Sequence, residues 1–207
     1  MNLHSLMEEN IDRSDIDEVI KFLQQDPLPR LTNGPKVEEL EAEWSKWLGV
    51  KYSVFVNSGT AANYMIMHLL RYLHGPCDII VPPLTWVSDI ASVINNQHNP
   101  IFVDINLSNL SFDIDKLKKA ITPHTKAIFL THVLGLNGIT DELLSLCAEK
   151  NILLVEDVCE SHGATYRDMK AGTIGQLSNF SFYFAHHMST IEGGMVCTNN
   201  IEYYDLL

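Results

Sequence analysis

The chain has 207 residues, 46% of them apolar and 19% charged, which suffices for one sizeable α/β domain with a real core. A formal net charge of −12 argues against nucleic acid and anionic membrane surfaces as partners, while a helix start can still hold a phosphate through its backbone dipoles. Cys77, Cys147, Cys159 and Cys197 form no CxxC pair and read as reduced thiols of a cytoplasmic protein; no signal-peptide pattern and no apolar run of ~18 residues is evident.

Ser14 followed by Asp15-Ile16-Asp17 has the form of a helix N-terminus, and Ile16, Val19, Ile20 and Leu23 supply one apolar face. Pro27 and Pro29 end that helix, and a loop follows to Gly34. Pro35 is suited to start the next helix, with Val37, Leu40, Trp44, Trp47 and Leu48 as its buried stripe and Gly49 as its stop. Beyond it, β-rich runs at Tyr52–Val56, Asp78–Val81, Ile101–Ile105, Ala127–His132 and Ile152–Glu156 alternate with helix candidates at Thr60–Leu73, Trp86–Asn95, Asp113–Ile121 and Asp141–Lys150. Runs at Phe180–Phe184 and Met195–Thr198 complete a sheet of about seven strands. The alternation predicts an α/β fold with a mostly parallel sheet and helices on both faces.

Ligands bind such sheets beyond the carboxyl ends of the strands. That rule selects Ser58-Gly59-Thr60, the segment leading to Trp86, Asp157 with its followers, and His186-His187. Ser58-Gly59-Thr60 is either an ordinary helix cap or a small phosphate cradle. Trp86 is either a core or helix-start aromatic or a flat face for a planar ring. Asp157 ends an apolar strand, so burial there calls for a partner: an arginine, a backbone amide, or the protonated ring nitrogen of a cofactor such as pyridoxal phosphate. His132 and His162 read as satisfied polar groups. No metal site is expected, because the adjacent His186 and His187 diverge on an extended segment.

The densest stretch is Ser181–Met195, SFYFAHHMSTIEGGM. Aromatic residues alternate into the His pair, and Glu192-Gly193-Gly194 closes the loop. The bland reading is a hairpin whose histidines are surface filler. Taken together and in order, Ser58-Gly59-Thr60, Trp86, Glu156-Asp157, Ser181-Phe182 and the Glu192-Gly193-Gly194 bend resemble the DegT/DnrJ/EryC1/StrS family of pyridoxal-phosphate-dependent sugar aminotransferases. The resemblance runs from about Pro35 onward.

In that family the residue six before the EGG glutamate is the lysine that captures the cofactor covalently; here it is His186, and the last lysine is Lys170. Histidine at this place, within HHMSTIEGGM, is similar to the branch of the family that removes the C3 hydroxyl of GDP-4-keto-6-deoxymannose. The resemblance implies a cofactor held noncovalently as pyridoxal or pyridoxamine 5'-phosphate. It further implies L-glutamate as amino donor, a nucleotide-linked 4-keto-6-deoxy sugar as substrate, and release of ammonia. Carried over residue by residue, His186 is the catalytic base, Asp157 the partner of the ring nitrogen and Trp86 the stacking face. Gly59, Thr60 and Ser181 would hold the phosphate, with Glu160 nearby. Family members run to about twice this length. Residues 1–34 are therefore expected to be an N-terminal helix and loop, and 35–207 a cofactor-binding large domain. A small C-terminal domain beyond these residues and a homodimeric full-length protein are expected from the resemblance. An ordinary sugar aminotransferase and a non-catalytic cofactor-binding homologue are the alternatives.

Overall fold

A computed structural model of the protein describes residues 10–207; the part of the expected N-terminal segment before residue 10 lies outside them. Helix α1 (Arg13–Leu23) is capped by Asp12 rather than Ser14. The Asp12 carboxylate accepts from the Ser14 and Asp15 amides at 2.7 and 3.2 Å, and Asp15 accepts from the Asp12 amide at 2.9 Å. This reciprocal cap satisfies amides that the first turn leaves free. The apolar face of α1 is as the sequence suggests, but Ile16, Val19, Ile20 and Leu23 all stay exposed.

Helix α2 (Pro35–Leu48) ends at Gly49, whose φ of 97° lies in the left-handed region. Trp44 and Leu48 are buried, whereas Trp47 is 42% exposed, so the expected stripe is narrower than five residues. Lys170 covers the Trp47 ring, its ammonium 4.7 Å from the centroid, and donates to the Trp47 carbonyl.

There follow β1 (Tyr52–Val56), α3 (Gly59–His74), β2 (Asp78–Val81), α4 (Val87–Asn95), β3 (Asn99–Phe102), α5 (Ile114–Ala120), β4 (Thr125–Thr131), α6 (Asp141–Lys150) and β5 (Leu153–Asp157). β6 (Thr165–Tyr166) and β7 (Met169–Lys170), which the sequence pattern does not anticipate, form a small hairpin. Strands β8 (Leu177–Ser181) and β9 (Gly194–Thr198) precede α7 (Ile201–Leu206). The expected strand Phe180–Phe184 is thus shifted toward the N-terminus. Ser178 and Asn179, polar residues outside the expected run, are fully buried in β8, while Tyr183 and Phe184 leave the sheet and are exposed. Ser178 tolerates burial because its hydroxyl donates to the Gly172 carbonyl at 2.8 Å.

The strand order is β1-β9-β8-β5-β4-β2-β3. Neighbours from β8 to β3 pair in parallel, and β9 runs antiparallel to both β1 and β8. Successive residues of a strand point to opposite faces, and the core divides accordingly. Ala127, Phe129 and Val155 pack with Ile66, Met67 and Leu70 of α3 and Val93 of α4. Ile128, Leu130 and Leu154 pack with Leu117 of α5 and Leu143 and Leu146 of α6. A third cluster joins Trp44 and Leu48 of α2 to Phe180, Phe182, Met195 and Cys197.

Candidate active site

Because β1, β2, β4, β5 and β8 share one direction, their carboxyl ends meet along one edge of the sheet. At the end of β1, Ser58 caps α3, its hydroxyl accepting from the Ala61 amide at 3.1 Å. The cap reading is therefore correct, and it leaves other first-turn amides pointing outward, as every helix start does. Gly59 is buried against β8. A Cβ there would lie 2.7 Å from Ser181 Cβ, 3.1 Å from Ser181 Oγ and 3.3 Å from Cys159 Sγ, so only glycine lets the helix start approach so closely. Thr60 beside it is exposed. Gly194 serves the same packing from β9, since a Cβ on it would lie 2.3 Å from the Ser58 carbonyl oxygen. Ser58, Gly59, Thr60 and Ser181, separated widely in sequence, form one small cradle.

Trp86 is the cap residue of α4 and 68% exposed. It is not a core aromatic; it presents its face to solvent at the end of the β2 connection. Asp157, the last residue of β5, is 3% exposed. Its Oδ1 accepts from the Cys159 amide at 2.8 Å, the backbone-amide partner that the sequence allowed for. Sequence reasoning missed its second neighbour. Asp89 of α4, 1% exposed, brings its carboxyl group into hydrogen-bonding reach of Asp157. Burial, reinforced by the Asp157 charge and that hydrogen bond, raises the Asp89 pKa well above the ordinary carboxylate value. A one-turn offset from Trp86 was the only available signal, and it does not distinguish Asp89 from an exposed first-turn acid.

The Glu160 carboxylate accepts from the Leu134 amide at 2.9 Å. The loop from Tyr183 to Gly193 turns back sharply, with the His186 amide donating to the Tyr183 carbonyl at 2.9 Å. His186 is half-buried and His187 exposed. The segment is not extended, and the two rings do not diverge as the sequence suggests: both lie against His162, at centroid distances of 6.3 and 5.3 Å. Burial lowers the His186 pKa, with Asp157 and Glu160 pulling the other way and His187 adding to the fall. His186 is thus a neutral imidazole within electrostatic reach of both carboxylates.

The two histidines taken as satisfied polar groups differ. His132 is fully buried and donates from Nε2 to Glu156 at 3.0 Å while its Nδ1 accepts from the Gly138 amide at 3.0 Å. His162 is enclosed by Trp44, Phe180 and Phe182, and neither ring nitrogen has a hydrogen-bond partner. Burial, with His187 and His186 adding, pushes its pKa down to about 3. Lys170 is held on Trp47 and does not stand in for a lysine in the loop. Among the described residues no group of three His, Cys, Asp or Glu side chains has the geometry to hold a metal ion. Nor is any helix there long and apolar enough to cross a membrane.

The residues fit a planar, phosphate-bearing ligand. A helix start and a serine form a cradle, Trp86 presents an open aromatic face, and Asp157 ends β5 as a buried acid. The class these features define is the aminotransferase-type α/β domain that binds pyridoxal phosphate. The chain belongs to the DegT/DnrJ/EryC1/StrS aminotransferase family, whose pattern matches residues 9–206. GDP-4-keto-6-deoxy-D-mannose 3-dehydratase of Yersinia pseudotuberculosis is 38% identical over 181 residues, 85% of this chain and 46% of the relative. The E. coli GDP-4-keto-6-deoxy-D-mannose-3-dehydratase with bound hydrated PLP has a TM-score of 0.90 at 33% identity, over 98% of this chain and 52% of that one. Helicobacter pylori PseC, an aminotransferase of pseudoaminic acid biosynthesis, matches with TM-score 0.90 at 26% identity over 98% and 54% of the two chains. The chain spans about half the length of the curated relatives it matches, 46% of the Yersinia enzyme.

Proposed function

We propose that this chain is the cofactor-binding part of a dehydratase that removes the C3 hydroxyl from a nucleotide-linked 4-keto-6-deoxy sugar, GDP-4-keto-6-deoxymannose. The observation that carries this reading is His186. It occupies the place where the family's aminotransferases have lysine, it is half-buried and neutral, and it lies in reach of Asp157 and Glu160. Residues 35–207 are then the large domain, preceded by the helix and loop of 1–34. In the full-length protein we expect a small domain, a homodimer, a cytoplasmic location and a role in dideoxysugar and lipopolysaccharide O-antigen synthesis.

In this reading the α3 start with Gly59, Thr60 and Ser181 holds the phosphate, Trp86 stacks on the ring, and Asp157 accepts the proton-bearing ring nitrogen. When bound, pyridoxal phosphate, converted to pyridoxamine phosphate by L-glutamate, supplies an electron sink that lets a proton leave its own side carbon and a hydroxyl leave the sugar. His186 is the base for that proton. Its lowered pKa keeps the imidazole unprotonated near neutrality, as an acceptor must be. A lysine in the same place would compete by recapturing the cofactor; that favours dehydration over the family's more common amino transfer.

The test is covalent chemistry. The full-length protein loaded with pyridoxal phosphate is treated with borohydride and examined by mass spectrometry. No pyridoxyl-lysine is expected within residues 1–207. A labelled lysine there would support the ordinary aminotransferase, and bound cofactor that L-glutamate fails to convert to its amino form would support the non-catalytic cofactor-binding homologue.

A further inference from the structure

Asp89 is not explained by any role assigned so far. It is an acid in the first turn of α4, it is 1% exposed, and its side chain is fully engaged. Oδ1 accepts from Asn63 Nδ2 at 2.6 Å. Oδ2 accepts from the Thr85 hydroxyl and, at 3.3 Å, from that of Thr131. The two threonine hydroxyls lie 2.6 Å apart. Three separate elements, α3, the β2–α4 connection and the end of β4, therefore hold one carboxyl group against another, that of Asp157. Among the described residues neither acid is paired with a lysine or arginine. The titratable groups facing the pair are Cys159, just after β5, and His186 of the β8–β9 loop; burial raises the Cys159 thiol well above its ordinary value and lowers the His186 pKa. α3 contributes only Asn63, β4 only Thr131, and α4 its own Ser88.

Two buried carboxylates side by side with no lysine or arginine cannot both ionise without large cost; one proton stays between them. We propose that Asp89 is a positioning residue for the cofactor's ring nitrogen: it shares a single proton with Asp157 and, by donating it, keeps the Asp157 carboxylate charged and aimed at the ring. A donated hydrogen bond favours the charged form of the acid that receives it. The proton between Asp157 and the ring then rests on the ring nitrogen, where the chemistry needs it. This inference rests on the proposed role of Asp157.

The proton count is tested without cofactor. A group that is protonated when folded and ionised when unfolded makes stability fall as pH rises. Full-length wild type should therefore lose roughly tenfold in its folding constant, per pH unit above about 4–5, relative to Asp89→Asn, until the pair ionises. Parallel curves, with Asp89→Asn equally impaired at every pH, would mean that Asp89 is ionised and would overturn the proposal. Positioning is tested with bound pyridoxal phosphate carrying nitrogen-15 in the ring. The amide of Asp89→Asn still donates, so its ring signal should stay in the protonated range with wild type. Asp89→Leu should shift the proton equilibrium roughly tenfold toward Asp157, moving the signal toward neutral pyridine. If Asp89→Leu binds the cofactor with an unmoved signal, Asp89 is merely structural. If wild type does not bind pyridoxal phosphate, the reading of Asp157 fails while the pH–stability result on the proton still stands.

Discussion

Glu156 and Asp157 are consecutive, both acidic and both buried at the end of β5, with exposures of 0% and 3%, yet the pleat sends them to opposite faces. On one face Glu156 accepts from the amides of Gly172, Ile174 and Gly175 at 2.9, 2.9 and 2.6 Å and from His132. Burial alone would raise its pKa, but His132 and the amides outweigh that and lower it. On the other face Asp157 has one amide, a second acid and the site's histidine for company. The comparison shows when a buried charge is structural: where backbone donors converge, the acid closes on itself and clamps a loop. Where they are too few and another acid stands opposite, the surplus charge is left for a ligand.

The sharpest break on the open face is His186→Asn. In the full-length enzyme it should keep the cofactor and lose roughly 10²–10⁴-fold of the dehydration rate, the usual range for a general base. His187→Asn, exposed in the same loop, should lose far less; the reverse result would transfer the role to His187.

On the closed face the effect is on stability. Glu156→Ala strands His132 and three inward amides without an acceptor, and should cost about 3–5 kcal/mol in denaturant unfolding, the range for removing one partner of a buried charged network. A cost below about 1 kcal/mol would mean that the clamp is idle.

The two faces should also respond to acid with opposite sign. Glu156 has a folded pKa below its ordinary value of 4.5, so its contribution is present above that value and fades as pH falls through the folded pKa. Asp89 has a raised pKa, so its contribution is largest in acid and fades as pH rises. Unfolding curves between about pH 3 and 6 should show a shallower acid loss for Glu156→Gln than for wild type.

The smallest change sharpens the cradle. Ser58→Ala removes the cap of α3 and should cost about 1 kcal/mol, while cofactor affinity changes little because the helix start and Ser181 remain. A large loss of affinity with unchanged stability would move Ser58 from cap to ligand.

The mostly parallel plan of about seven strands and most element bounds were legible because apolar runs alternate with helical periods and are punctuated by Pro35, Gly49 and Ser58. The strand-end rule then singled out Ser58-Gly59-Thr60, Trp86, Asp157 and His186-His187 before any contact was known, and the family resemblance added Ser181. It failed where burial is decided by partners far along the chain. Ser178 and Asn179 lie outside the expected strand Phe180–Phe184 but sit in a central strand. Trp47 reads as core but is exposed, and His162 reads as a satisfied polar group but is enclosed by aromatics without a partner.

The one-dimensional pattern alone determined the order of elements, the absence of any lysine beyond Lys170 and the histidine in its place, since these are matters of period and residue identity. Only the tertiary structure decided which acid meets which. Strand order places the ends of β4 and β5 side by side, and α4 crosses near them with Asp89. Two residues 68 positions apart in sequence thereby come to share one pocket. Nothing local could reveal that, because the cost of a buried charge depends on what faces it in space and not on its neighbours along the chain.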